Sequence, residues 1–187
     1  NKYPNYKVLI LCYNKSLAAY LRSLTYSEEY PAYQEKIQIL HFHAWVKSIL
    51  GKVPVSGDYS NEQDWHQSIG KILCDNLNKS SEKWDAILVD EAHTFAPEWF
   101  RCCVAALKEG ENGHLLSVSD GNQKIYKRKA FSWKSVGIRA QGRTKILKLN
   151  YRNTREILEA AWTIVSSSQV QDSLGNSEPT FPLISPQ

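Results

Sequence analysis

The sequence predicts an α/β fold in which a mostly parallel sheet is flanked by helices. Two observations carry that expectation. Short apolar, β-rich runs alternate with segments whose apolar residues recur at helical spacing. Three of these runs also break off at polar residues, the pattern of strands that deliver a binding site to the carboxyl edge of a parallel sheet.

Lys7–Tyr13 reads as a buried strand, and Ser16–Leu24 as a helix with Leu17, Tyr20, Leu21 and Leu24 at matching spacing. Lys36–Phe42 is a second strand and His43–Leu50 a helical turn or two. Pro54, Gly57 and Asp58 make Gly51–Asn61 a loop. Glu62–Asn78 gathers Trp65, Ile69, Ile72, Leu73 and Leu77 on one helical face, and residues 51–80 are expected to form a small helical insertion. Trp84–Val89 is a third strand, and Pro97–Leu107 a helix with its proline in the first turn, where the missing N–H costs nothing. His114–Ser119 and Lys145–Leu149 complete five strands. Asn153–Val165 is a helix that Thr154 can cap, and the Ser-, Gln-, Asn- and Pro-rich residues from Ser166 onward read as a loop or linker.

At 187 residues the chain suits one domain and the start of another, divided here into 1–152 and 153–187. It contains no apolar run near the roughly 20 residues that a membrane span needs, and no secretory signal pattern. Cys12, Cys74, Cys102 and Cys103 form no CxxC pair, so reduced thiols and a cytoplasmic setting are expected, without a zinc site. The chain opens on Asn1 and has no Met, which suggests a segment of something longer. Its charge is uneven. Residues 121–155 hold eleven Lys or Arg and no acid, leaving twelve basic against nineteen acidic residues elsewhere. Most such runs are merely solvated. This one is interleaved with Tyr126, Phe131, Trp133 and Tyr151, which combines phosphate-neutralising cations with stacking surfaces for unpaired bases.

The chemistry concentrates at three strand ends. Ala86-Ile-Leu-Val-Asp90-Glu91-Ala-His93 places two carboxylates after an apolar strand; one suits Mg²⁺ and its neighbour suits an attacking water. Leu115-Leu-Ser-Val-Ser-Asp120-Gly-Asn-Gln123 ends in an acid and a glutamine able to bond a water or terminal phosphate. Ile146-Leu-Lys-Leu-Asn150-Tyr-Arg152 can carry a guanidinium to a γ-phosphate.

In this order the motifs resemble those of UvrD/Rep-type superfamily 1 helicases, over about Lys7–Ala161 and most strongly over Trp84–Leu158. Val89-Asp-Glu-Ala-His93 is similar to motif II, Asp120-Gly-Asn-Gln-Lys-Ile-Tyr126 to motif III and Leu149-Asn-Tyr-Arg-Asn-Thr154 to motif IV. Ile10-Leu-Cys-Tyr-Asn-Lys15 resembles motif Ia, and Phe42-His-Ala-Trp45 the Thr-Phe-His element. Phe131-Ser-Trp133 through Arg143 resembles a branch with truncated cores. Ser119 stands where the family has Gly, and His41 where it has Thr; Asp-Glu-Ala-His itself is common in superfamily 2.

The resemblance implies a partial RecA-like P-loop NTPase domain using ATP and Mg²⁺ on single-stranded DNA or RNA, alongside further helicase domains. It implies that Asp90 coordinates Mg²⁺ and Glu91 acts as base, with Gln123 and Arg152 on the γ-phosphate. Tyr13, Asn14, Lys15, His43, Tyr126, Arg128 and Trp133 would contact the strand. No GxxxxGK[ST] occurs, so this polypeptide is expected to lack ATPase activity. The absent segment normally supplies a central strand, which predicts a gap, an exposed edge or a rearranged sheet. Two alternatives share these motifs: a nucleic-acid-binding module without ATPase activity, and a degenerate helicase core used for protein contact.

Overall fold

The computed structural model describes residues 5–25, 36–119, 131–147, 149–150, 153–167 and 183–184. It has two compact units, one built from Asn1–Ser119 with Phe131–Arg139, the other from Asp120–Ala130 with Ala140–Gln187.

The first unit is organised by four parallel strands: β1 (Val8–Cys12), β2 (Ile37–His41), β3 (Ala86–Val89) and β4 (His114–Ser117). Their order is β2-β1-β3-β4, with Leu11 opposite both Leu40 and Val89, and Val89 opposite Ser117. Parallel neighbours require crossovers, and helices supply them. These are α1 (Lys15–Thr25), α2 (Phe42–Leu50), α3 (Glu62–Lys79) and α4 (Pro97–Ala106).

The two-residue alternation of the strands divides the apolar side chains between two faces. Leu9, Leu11, Ile87 and Val89 join the main core with residues of α2, α3 and α4. On the other face Cys12 and Ile39 meet Ala18 of α1, with Ile10, Leu17 and Leu21 around them. The layers are therefore helix, sheet, helix. Among the described residues β4 is an outer strand, and its Leu116, with Val118 just beyond it, is about half exposed.

Aromatic packing sets the centre of the main core. Phe42 stacks on Trp99 with centroids 3.8 Å apart, and Phe95 meets both rings edge-on at 5.4 Å. Such pairs add roughly 0.5–1.5 kcal/mol each beyond the area they bury. Residues 62–79 form the long helix α3, whose Ile69, Leu73 and Leu77 are fully buried and which packs along α4.

In the second unit a helix, α5, spans Arg155–Ser167. The strand expected over residues 145–149 is only Leu149–Asn150 (β5), paired in parallel with Leu183–Ile184 (β6). Ile146 and Leu147 are exposed at 56% and 80%, so among the described residues no layer buries a strand face there.

Candidate functional site

The candidate site occupies the carboxyl edge of the four-stranded sheet, where Tyr13–Lys15, His41–His43 and Asp90–His93 follow β1, β2 and β3. Parallel strands in register bring these three segments to one end.

The acidic turn is pinned on both sides. Beyond the last residue of β3, the Asp90 N–H donates to Leu11 O at 2.9 Å and the Ala92 N–H to Val118 O at 2.8 Å. The Val118 N–H in turn donates to Val89 O at 2.9 Å. Held between these anchors, Glu91 adopts φ 51° and ψ 44°, the left-handed region that non-glycine residues seldom enter. Strain of this kind costs on the order of 1 kcal/mol and persists only where the surroundings impose it. The carbonyl of Glu91 accepts from the Thr94 N–H at 2.9 Å and from Thr94 Oγ1 at 2.7 Å, closing a 3₁₀ turn over Ala92–Thr94.

The Glu91 carboxylate remains 44% exposed, with Oε2 lying 3.4 Å from Nδ1 of the buried His93 ring. That nitrogen has no well-formed hydrogen bond among the described residues. Asp90 is half-buried one residue earlier. Its charge reaches Cys12, whose thiol is pushed up to about 11, mainly by burial and then by Asp90. Sequence reasoning gave neither His93 nor Cys12 a role of its own, although both lie close to the acidic turn, His93 by contact and Cys12 through the charge of Asp90.

The neighbouring strand ends carry structural duties. Asn14 Oδ1 accepts from the Ser16 and Leu17 N–H groups at 2.8 and 3.3 Å, capping α1. His41 Nδ1 accepts from the Ala44 N–H at 3.3 Å and caps α2. An imidazole thus does the work usually given to a threonine hydroxyl. Only a neutral ring can accept there, and burial, aided by Lys15 and Arg22, holds His41 below its ordinary pKa.

His43 lies flat against Trp65, with centroids 5.2 Å apart and planes 13° from parallel, and it meets Trp99 edge-on. Its Nε2 is buried without a hydrogen-bond partner among the described residues. Burial, then His41 and Lys15, pushes its pKa down to about 4. Lys15 is exposed, and Tyr13 packs against the main core. Trp133, in the 3₁₀ turn Trp133–Val136, packs on Phe100 and Phe131 with centroids 5.1 and 5.3 Å away. Asp120, Gln123, Tyr126, Arg128 and Arg152 lie outside the described residues.

No cluster of three or more His, Cys, Asp or Glu among the described residues could hold a bare metal ion. Magnesium carried by a nucleotide asks less of the protein: one or two carboxylates, with phosphate oxygens and waters completing the shell. Half-buried Asp90 and the 44% exposed Glu91 are two carboxylates of that chemical type, side by side at the end of β3. Among the described residues, no helix is long and apolar enough to cross a membrane. No protein-family model, curated protein or solved structure matches this chain.

Proposed function

We propose that this chain is part of the first RecA-like motor domain of an ATP-dependent superfamily 1 translocase acting on single-stranded nucleic acid. The observation that carries the reading is the pinned acidic turn at the carboxyl edge of an all-parallel sheet, beside the two strand ends with the Ia-like and Phe-His segments. Asp90 would hold Mg²⁺ delivered with the nucleotide. Glu91, 44% exposed on a constrained backbone, would orient the attacking water and take its proton, with His93 Nδ1 3.4 Å from the carboxylate. The bound metal would neutralise phosphate charge as the terminal bond breaks. The half-exposed Leu116 and Val118 of the outer strand region suit a sheet to which the family adds a further strand.

A second reading is a helicase-derived core used for protein contact. It is favoured by Asn14, His43 and Trp133, since each already serves as a cap or packing group.

Titrating a labelled oligothymidine with the chain across a salt series separates the two. The motor reading expects binding that weakens steeply as salt rises from about 50 to about 200 mM, because phosphate contacts release counterions. Absence of binding at the lowest salt would favour protein contact. With no phosphate loop, the chain alone should bind ATP weakly and not turn it over. A Mg²⁺-dependent ATPase that disappears in Glu91→Gln would overturn that expectation.

A further inference from the structure

Helices α3 and α4 lie unusually close because Gly70 has no side chain: a Cβ there would sit 2.4 Å from Cβ of Glu98. One turn further along both helices, Cys74 of α3 faces Cys102 of α4. Cys102 Sγ donates to Gly70 O at 3.1 Å, the carbonyl one turn before Cys74, and this places the Cys102 thiol within reach of Cys74, with which it shares its single proton. Their surroundings differ. Cys102 is fully buried, and burial first, then its bond to Cys74, raises its pKa well above the ordinary thiol range. Cys74 is half-buried and lines a solvent-open cleft of about 330 Å³ with Lys71 and Arg101.

The neighbouring Cys102 thiol, its proton shared with Gly70 O, favours the Cys74 thiolate most strongly. Asn78 and Arg101 help, burial and Asp75 oppose, and the resulting pKa is about 7. The other two cysteines are sealed in. Cys12 and Cys103 are fully buried, and burial raises both of their pKa values.

We propose that Cys74 and Cys102 form a peroxide-responsive pair, in which Cys74 is the attacking thiol and Cys102 resolves it to a disulfide joining α3 to α4. In the first step the Cys74 thiolate attacks one oxygen of hydrogen peroxide. An S–O bond forms, the O–O bond breaks, and hydroxide leaves and is protonated to water. In the second step Cys102 sulfur displaces the sulfenic oxygen, so that an S–S bond forms, the S–O bond breaks, and water departs with the Cys102 proton. Two thiols lose two electrons in total, and one peroxide becomes two waters. The closeness that Gly70 allows makes the second step local. The cleft admits a small oxidant to Cys74, while Cys102 is reached only by its neighbour. The pair is independent of the nucleotide reading.

The test treats the full chain with one equivalent of hydrogen peroxide under native conditions and maps thiols by peptide mass spectrometry. The expected product has lost two hydrogens and yields a cross-linked peptide pair containing Cys74 and Cys102. In Cys102→Ser, dimedone should label Cys74; in Cys74→Ser, the remaining thiols should resist peroxide while the protein stays folded. A second measurement needs no variant. Alkylation of native Cys74 by iodoacetamide should be half-maximal near pH 7, against about pH 8.5 after denaturation. Peroxide that modifies Cys12 or Cys103 as readily as Cys74, or Cys74 oxidation without a bond to Cys102, would overturn the proposal. So would native alkylation that follows the denatured pH profile.

Discussion

Replacing Gly70 with alanine tests whether the packing of α3 on α4 depends on a missing side chain. Considered as an isolated helix, the substitution is favourable, because alanine is better than glycine in a helix interior by about 1 kcal/mol. The tertiary setting reverses the sign. The new methyl would lie 2.4 Å from Glu98 Cβ, 3.3 Å from the Glu98 carbonyl carbon and 3.4 Å from Trp99 Cδ1. The nearest of these atoms is a Cβ fixed to the α4 backbone, so no flexible side chain can swing away. The helices must move apart by about 1 Å to restore ordinary contact, and overpacking of this kind costs about 1–3 kcal/mol.

Separation also stretches two buried bonds that cross the seam: Trp99 Nε1 donating to His66 O at 3.2 Å, and Cys102 Sγ to Gly70 O at 3.1 Å. Each contributes on the order of 1 kcal/mol. Against the propensity gain, the net loss comes to about 2 kcal/mol. Urea unfolding followed by tryptophan fluorescence reads it as a lower midpoint with an unchanged slope. Gly57→Ala is the control, because a Cβ there meets nothing within 4 Å and φ is ordinary. If Gly70→Ala matches or exceeds the parent in stability, the close-approach argument is wrong.

Lys83 lies between the ends of the same two helices, with Nζ 2.6 Å from both Leu77 O and Ala105 O. Because a cation there satisfies last-turn carbonyls, Lys83→Met should cost about 1–2 kcal/mol by chemical denaturation. His43, pushed down to about 4 in the folded state from the ordinary 6.5, resists protonation that the unfolded chain accepts. Its contribution is therefore complete above about pH 6.5 and is lost as pH falls toward 4. After allowance for partial solvent screening, the loss between pH 7 and 5 is about 1 kcal/mol. His43→Phe should flatten that part of the stability–pH curve, and a parallel curve would contradict the assignment. At the acidic turn, Glu91→Gly should hold or raise stability by up to about 1 kcal/mol, while β-branched Glu91→Val should lower it by about 1–2 kcal/mol. Equal melting temperatures for the two variants would argue against a strained backbone.

What could be read in advance was local. The strands of the main sheet announce themselves as short apolar runs, and the rule that parallel strands present ligand-binding residues at their carboxyl ends places Asp90 and Glu91 correctly on the observed sheet edge. Contacts between distant residues were not legible. Nothing near His43 says that Trp65, 22 residues later, will lie flat on its ring, because that pairing exists only once α3 folds back over α2. Gly70 reads as one glycine in a helical pattern until Glu98 arrives against it. His41 was not visible as a cap because histidine is an uncommon one; the imidazole nitrogen succeeds through its placement at the first turn of α2. The expected fifth strand begins late, at Leu149, for a related reason. Val, Ile and Leu favour a strand only where a neighbouring layer covers them, and among the described residues Ile146 and Leu147 stand exposed.

The residues at the sheet edge thus divide by what the fold already asks of them. Asn14 and His41 hold helix starts, so these two polar groups already serve the fold, while His43 lies flat on Trp65 with its Nε2 buried and unpaired among the described residues. Glu91 is a different case. It occupies a backbone conformation that glycine would enter without cost, and its carboxylate, rather than satisfying the core, stands nearly half exposed. A fold indifferent to that carboxylate would lose nothing by placing glycine there. The hydrogen bonds from Asp90 to Leu11 and from Ala92 to Val118 impose the conformation instead of relaxing it. Local rules are broken in this way where geometry matters more than stability. The acidic turn is therefore where chemistry is best sought on this sheet edge, and the neighbouring caps are the frame that keeps it in place.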